Sequence, residues 1–424
     1  MTKLTRRQFN KALGLGAASL AVPLGAIGQA KPQVVIVGGG AGGATAARYL
    51  AKDAKGAVDV TLIENSKNYT TCFFSNLYLG DVRSFDSITH SYDKLAADYG
   101  INVINAYATA VDRDKKTVTL KDGTSIPYDS LVIAPGIDMV YDSVPGYSED
   151  AAQIAPHAWQ GGPQTELLKA KLDSLENRDA VIMVPPPNPY RCPPGPYERA
   201  SMMAHLFKTR GMTDSTITIL DVKPKFSKQG LFTAGWEAHY PGVIEWISPE
   251  VHGGILNVDA TAGTVETDLD TFEGKLLNVI PKQQAGVIAQ AAGLTDDSGY
   301  CPIDGESMRS TIDENIFVIG DASIAGAMPK SGFSANSQAK VAAMNIRGDL
   351  TGSSVFPAKY ANTCWSMIGT DDGVKVGAQY ASVEGKIEST STFISTNDED
   401  EAMRKATFEE SLGWYSGITS DIFG

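Results

Sequence analysis

A chain of 424 residues is too long for one compact core and predicts two or three domains. Its 43% apolar and 20% charged residues exclude a disordered or collagenous chain, and a net charge of -13 argues against nucleic acid, which is bound through clustered Lys and Arg. The acidic balance suits solubility, or a basic patch on a protein partner.

Thr5-Arg6-Arg7-Gln8-Phe9-Asn10-Lys11 precedes a weakly apolar, Gly-rich run from Ala12 to Ile27 and a small-residue cleavage pattern at Gly28-Gln29-Ala30. Residues 1–30 are therefore predicted to be a twin-arginine signal peptide, and Pro23 with the glycines argues against stable membrane insertion. That route exports folded proteins, so a cofactor loaded before export and a periplasmic location are expected, where disulfides persist.

Val34 to Val37 predicts a buried strand, Gly38 to Gly43 a phosphate turn, Ala44 to Lys52 a helix, and Val58 to Glu64 a second strand ending in an acid. This is a dinucleotide fingerprint: Gly38 makes the turn, Gly40 admits the pyrophosphate, Gly43 lets helix pack on strand, and Glu64 accepts ribose hydroxyls. Tyr128 to Gly136 and Thr311 to Asp321 resemble the later flavin motifs of the glutathione-reductase-like superfamily, which implies FAD, with Asp321 on the ribityl chain. The expected fold is α/β with two Rossmann-like domains. An FAD domain (31–148 and 271–350) is interrupted by an NAD-domain-like insertion (149–270) and followed by a small C-terminal α+β domain (351–424).

Within the insertion, Ala180 to Val184 and Thr216 to Asp221 read as strands, but Pro185-Pro186-Pro187-Asn188-Pro189 stands where a glycine loop is needed. Proline offers no N–H to phosphate and no positive φ, so a nicotinamide site is not expected and the electron donor must be something else. The acidic run Asn397 to Glu401 reads as a solvated loop.

Four cysteines remain. Cys72 falls where dithiol members of the superfamily carry a C-x-x-x-x-C pair, but Leu77 replaces the second cysteine; Cys72 is then either a small buried hydrophobe or a thiolate joined to the flavin 8α-methyl carbon. Cys192, in Tyr190-Arg191-Cys192-Pro193-Pro194-Gly195-Pro196-Tyr197-Glu198-Arg199, lies where nicotinamide would approach the flavin. It is either a redox sulfur, with Arg191 or Arg199 favouring thiolate and Glu198 managing protons, or part of a structural disulfide. Cys364 is the natural partner in both readings, and Cys301 reads as a turn residue without chemistry. No metal-ligand spacing and no C-x-x-C-H occur, so no metal site is expected and any haem c belongs to a partner.

These cysteine-centred motifs, with Met328-Pro329-Lys330-Ser331-Gly332 and Asn362-Thr363-Cys364, resemble the flavoprotein subunit of flavocytochrome c sulfide dehydrogenase over essentially the whole chain after residue 30. The resemblance implies FAD bound through a thioether to Cys72 and a redox-active Cys192–Cys364 disulfide. It further implies Glu198 as the acid beside that disulfide, Trp414 and Gly136 close to the flavin, and a cytochrome c partner subunit. Sulfide would attack one sulfur of the pair, leaving a persulfide and a thiolate. The alternatives are a sulfide:quinone oxidoreductase, for which an amphipathic or apolar C-terminal surface is expected where this C-terminus is acidic, and a non-catalytic flavin-bearing interaction protein.

Overall fold

The structure, a computed structural model, describes residues 30–424, and the expected signal peptide lies outside them apart from Ala30. Residues Pro32–Gly424 form one compact unit. Its first sheet is all parallel, in the order Ile316–Val318, Ser130–Ile133, Gln33–Val37, Asp59–Glu64, Asn102–Asn105. The β-branched run of Gln33–Val37 takes the central place because a strand covered on both faces needs apolar side chains on both: Val34 and Ile36 pack on helical residues, Val35 and Val37 against Ala108, Val118 and Leu120. Val34, Val35 and Ile36 are all buried.

The first helix spans Ala41–Ala54, starting three residues before the expected Ala44. Gly42 and Gly43 lie inside its first turn, and a Cβ at Gly43 would sit 1.8 Å from the Gly38 carbonyl oxygen. Gly38 itself has φ +100°, so the turn needs glycine there for its backbone and at Gly43 for its bulk.

A second parallel sheet runs Ile244–Ile247, Thr216–Leu220, Ala180–Val184, Leu276–Val279. The 149–270 boundaries expected for the insertion are therefore too narrow. Leu276–Val279 pairs with Val181 to Val184, and Val144 and Tyr147 share a core with Val184 and Val258. A strand of four residues, three of them apolar, carries no sign of which sheet it joins; pairing decided it. The two connections between the sheets, Ile137–Val140 and Lys282–Ala285, run antiparallel to each other.

The last segment is a three-stranded antiparallel meander, Lys359–Gly369, Asp372–Val383 and Lys386–Ile394, followed by the helix Glu401–Phe423. Asp400, from the acidic run, caps that helix by accepting the Met403 N–H at 2.8 Å. Among the described residues no helix is long and apolar enough to cross a membrane.

Candidate functional site

Two adjoining cavities lie where the sheets and the C-terminal segment meet. The larger, about 460 Å³, is lined by Gly38, Gly40, Glu64, Cys72, Gly136 and Asp321, which the sequence had pointed to separately. Glu64 is fixed by two backbone donors, Gly39 N–H at 2.6 Å and Ser66 N–H at 2.9 Å, leaving lone pairs for ribose hydroxyls. Asp321 leans one oxygen on Arg191 at 3.4 Å, while its other oxygen is buried with no partner. A buried, unpaired carboxylate oxygen is costly unless a donor arrives, and a polyhydroxylated ribityl chain supplies one. The residues present thus fit FAD.

The smaller cavity, about 70 Å³, is lined by Cys72, Cys192, Cys364, Glu198 and Trp414. Cys72, Arg191, Ser331 and Gly332 line both cavities, so the sulfur cluster opens onto the flavin cleft. Ser331 caps the long helix Gly332–Thr351, accepting from Ser334 N–H at 3.1 Å, and that helix therefore starts at the junction with its positive end.

All four cysteines are free thiols, so the expected Cys192–Cys364 disulfide is not formed in this structure; the two share a cavity without a bond. Burial pushes both thiols up. Cys192 is raised next by Cys364 and Glu198, with Arg191 pulling the other way. Cys364 is pulled down by the Asn362 amide, which donates to its sulfur at 3.3 Å, and by the Lys228 ammonium. Cys72 is raised by burial and opposed by Arg191. Cys301 sits apart in a two-residue strand, its thiol pushed up to about 12 by burial.

Each sulfur is held by a different device. Cys192 has φ +56°, a left-handed conformation rare for a residue with a side chain, and its N–H donates to Lys330 O at 2.8 Å. The helix Gly195–Thr209 starts just after it, with Pro196 in its first turn, and carries Glu198. Cys364 stands on the strand Lys359–Gly369, and Cys72 precedes a short helix, Ser75–Leu79. Tyr415, on the last helix, ties down the Cys72 strap by its hydroxyl, 3.0 Å from Thr71 Oγ1 and 3.1 Å from His90 Nε2.

Sequence reasoning gave no role to Asn76, nor did it single out Lys228. Asn76 donates to Glu198 Oε2 at 2.8 Å, and Met367 N–H donates to Glu198 Oε1 at 2.9 Å. Burial nevertheless holds the Glu198 carboxyl above its ordinary value. The Arg199 guanidinium donates to Asn76, Asn278 and the carbonyls of His157 and Ala158, and its charge also couples to Cys192, the direction expected of a group that favours the thiolate. Lys228 falls before a helix and looks like a surface residue in sequence, yet it is buried.

At the nucleotide end of the second sheet the structure fills itself. The Asp221 carboxylate, in the place of a ribose-binding acid, accepts from Tyr197 at 2.6 Å, Trp246 at 2.9 Å and Lys223 Nζ at 2.7 Å, and is fully buried. Among the described residues no group of three or more His, Cys, Asp or Glu could hold a metal ion.

Three family models match this chain. "Sulfide dehydrogenase (flavocytochrome c) flavoprotein chain, central" matches residues 165–281, and "Flavocytochrome c sulphide dehydrogenase, flavin-binding" matches 357–423. "Pyridine nucleotide-disulphide oxidoreductase" matches 32–180. The chain is 26% identical over 374 residues to the sulfide-quinone reductase of Aquifex aeolicus, covering 82% of this chain and 83% of that protein. It is 23% identical over 305 residues to the mitochondrial sulfide:quinone oxidoreductase of Dictyostelium discoideum, covering 69% and 65%. The X-ray structure of the Aquifex aeolicus sulfide:quinone oxidoreductase superposes with a TM-score of 0.70 over 92% of this chain and 91% of that one, at 19% identity, and so shares the fold.

Proposed function

Because this chain is a flavoprotein of the flavocytochrome c sulfide dehydrogenase type, we propose that it oxidises sulfide at the Cys192–Cys364 pair and passes the electrons to a cytochrome c partner in the periplasm. The coarser statement, an FAD-dependent sulfide-oxidising oxidoreductase, agrees with both the family models and the named relatives. One observation carries the reading. Cys72, Cys192, Cys364, Glu198 and Trp414 all line a single cavity that adjoins the flavin cleft.

FAD, when bound, supplies a two-electron acceptor able to pass electrons on singly. Gly38, Gly40, Glu64, Gly136 and Asp321 would hold it, and Cys72 would carry it covalently. The chain's own residues do the rest. With the pair oxidised, hydrosulfide adds to one sulfur, the S–S bond breaks, and the other sulfur leaves with the electron pair as thiolate. Glu198, held by Asn76 and Met367, is placed to take or return the substrate proton, and burial, which raises its proton affinity above that of an ordinary carboxyl, favours that exchange. Cys364 and Glu198 are buried and Cys72 and Cys192 partly so, which limits the water that reaches the persulfide.

Anaerobic addition of sulfide to the purified holoprotein should bleach the flavin, and Cys364→Ser should abolish the bleaching; undiminished bleaching in the variant would remove the sulfur pair from the reaction. The relatives' names favour a second acceptor, quinone. Faster turnover with decylubiquinone than with soluble cytochrome c would select that acceptor and leave the sulfur chemistry intact.

A further inference from the structure

Lys228 is a buried cation with no carboxylate counter-ion among the described residues. It has φ +62° and stands just ahead of the helix Gln229–His239, whose first turn bonds to its carbonyl through Leu231 N–H at 3.0 Å and Phe232 N–H at 3.1 Å. Its ammonium donates to Cys364 O at 3.1 Å and to Ser366 Oγ at 2.8 Å, both on the strand that carries the cavity cysteine. Among the described residues it makes no ion pair with a carboxylate. Neutral acceptors poorly compensate an ammonium taken out of water, so such a group is retained where an anion forms beside it.

The charged and titratable groups acting on Lys228 are Cys364, Glu198 and Cys192, which favour its charge, and Arg404, which opposes it; burial brings its proton affinity down to about 8. Glu198 accepts from Asn76 and from Met367 N–H, and among the described residues it has no hydrogen bond or ion pair with Lys228. The two sulfurs remain, and they are not equivalent. Cys364 Sγ receives the Asn362 amide at 3.3 Å, whereas among the described residues no donor reaches Cys192 Sγ.

Resting on the proposed sulfur pair, we propose that Lys228 is a positioning residue whose ammonium, with the Asn362 amide, holds Cys364 as the thiolate, so that Cys364 is the leaving sulfur and hydrosulfide adds to Cys192. The step balances: hydrosulfide and the Cys192–Cys364 disulfide give a Cys192 persulfide and a Cys364 thiolate. One S–S bond forms, one breaks, and the electron pair of the broken bond stays on Cys364.

The test reads thiols rather than turnover. In the reduced holoprotein, peptide-resolved alkylation by iodoacetamide is followed against pH for each cysteine. Lys228→Met should slow Cys364 alkylation about tenfold at pH 7 and move its profile to higher pH, with Cys192 little changed, and Lys228→Arg should restore it. A Cys364 profile unmoved by Lys228→Met overturns the proposal. A second measurement needs no variant: anaerobic sulfide followed by rapid alkylation should leave the persulfide on the Cys192 peptide of the natural protein, and a persulfide on Cys364 also overturns it. Non-reducing peptide mapping of the oxidised protein separately shows whether the Cys192–Cys364 bond exists. Its absence removes the sulfur-pair reading, while the alkylation profiles still report on Lys228.

Discussion

Asn76 Nδ2 lies 2.8 Å from Glu198 Oε2, and the same side chain accepts from Arg199 Nε at 3.2 Å, so one amide fixes both the carboxylate and the guanidinium beneath it. Neither oxygen of Glu198 is left without a donor, which keeps a buried carboxylate ionisable. Replacing Asn76 by Leu leaves two buried charged groups short of a partner and should cost about 2–3 kcal/mol. It should also move the acid limb of the sulfide reaction to higher pH, because the ionised form of Glu198 loses a donor. Thermal unfolding and a pH profile of flavin bleaching check the two effects; an unmoved pH profile would show that Glu198 takes no part in the proton transfer.

Gly43→Ala places a methyl group 1.8 Å from the Gly38 carbonyl oxygen, a backbone atom that cannot swing aside. Helix Ala41–Ala54 must then lift from the sheet, at a cost of about 1–3 kcal/mol or more. The expected product has lost most of its flavin, measured as the ratio of flavin to protein absorbance after purification. Full flavin content would show that the turn has room to spare.

The end of the chain is anchored by Asp421, which accepts from Lys340 Nζ at 2.7 Å, Tyr49 Oη at 2.8 Å and Asn336 Nδ2 at 3.0 Å. Burial raises its proton affinity, but these donors outweigh it, and the carboxyl is held below its ordinary value. A depressed carboxyl contributes stability that is present above the unfolded value, about 3.9, and lost as pH falls through the folded one. Asp421→Asn should therefore lower stability by about 1–2 kcal/mol at pH 7, with the gap from the natural protein closing below about pH 4. Denaturant unfolding at pH 7, 5 and 3.5 tests the sign; a gap that widens in acid would contradict it.

Asp221 and Lys223 predict a different outcome in the second sheet. Removing the acid by Asp221→Ala leaves the Lys223 ammonium buried and unpaired, at a cost of about 3–5 kcal/mol, and strips Tyr197 and Trp246 of their acceptor. The result should be a large drop in melting temperature. NADH should reduce the flavin in neither the natural protein nor the variant; prompt bleaching by NADH would mean that these side chains make way for a nucleotide.

Much of this was legible in the chain because it depends on local rules. Gly38, Gly40 and Gly43 between an apolar strand and an Ala-rich helix announce a dinucleotide turn, and Pro185 to Pro189 announce that the second one is missing, since each rests on what single residues can do with their own φ and N–H. The cysteine-centred motifs pointed to Cys72, Cys192, Glu198 and Cys364, and the family resemblance they carry implied Trp414; all five line one cavity. Other features depend on partners far along the chain. Whether Leu276–Val279 joins one sheet or the other is a matter of pairing, and the identity of the donors to Glu198 rests on Asn76 and Met367, 122 and 169 residues away. Lys228 shows the limit most plainly. In sequence it is a lysine ahead of a helix, an ordinary surface residue; only when the strand Lys359–Gly369 packs against that helix does its charge become enclosed behind Cys364. Sequence therefore determined which chemistry-bearing residues exist and which local turns can bind phosphate, while tertiary packing decided which charges are buried together, because desolvation and charge coupling are set by distance in space.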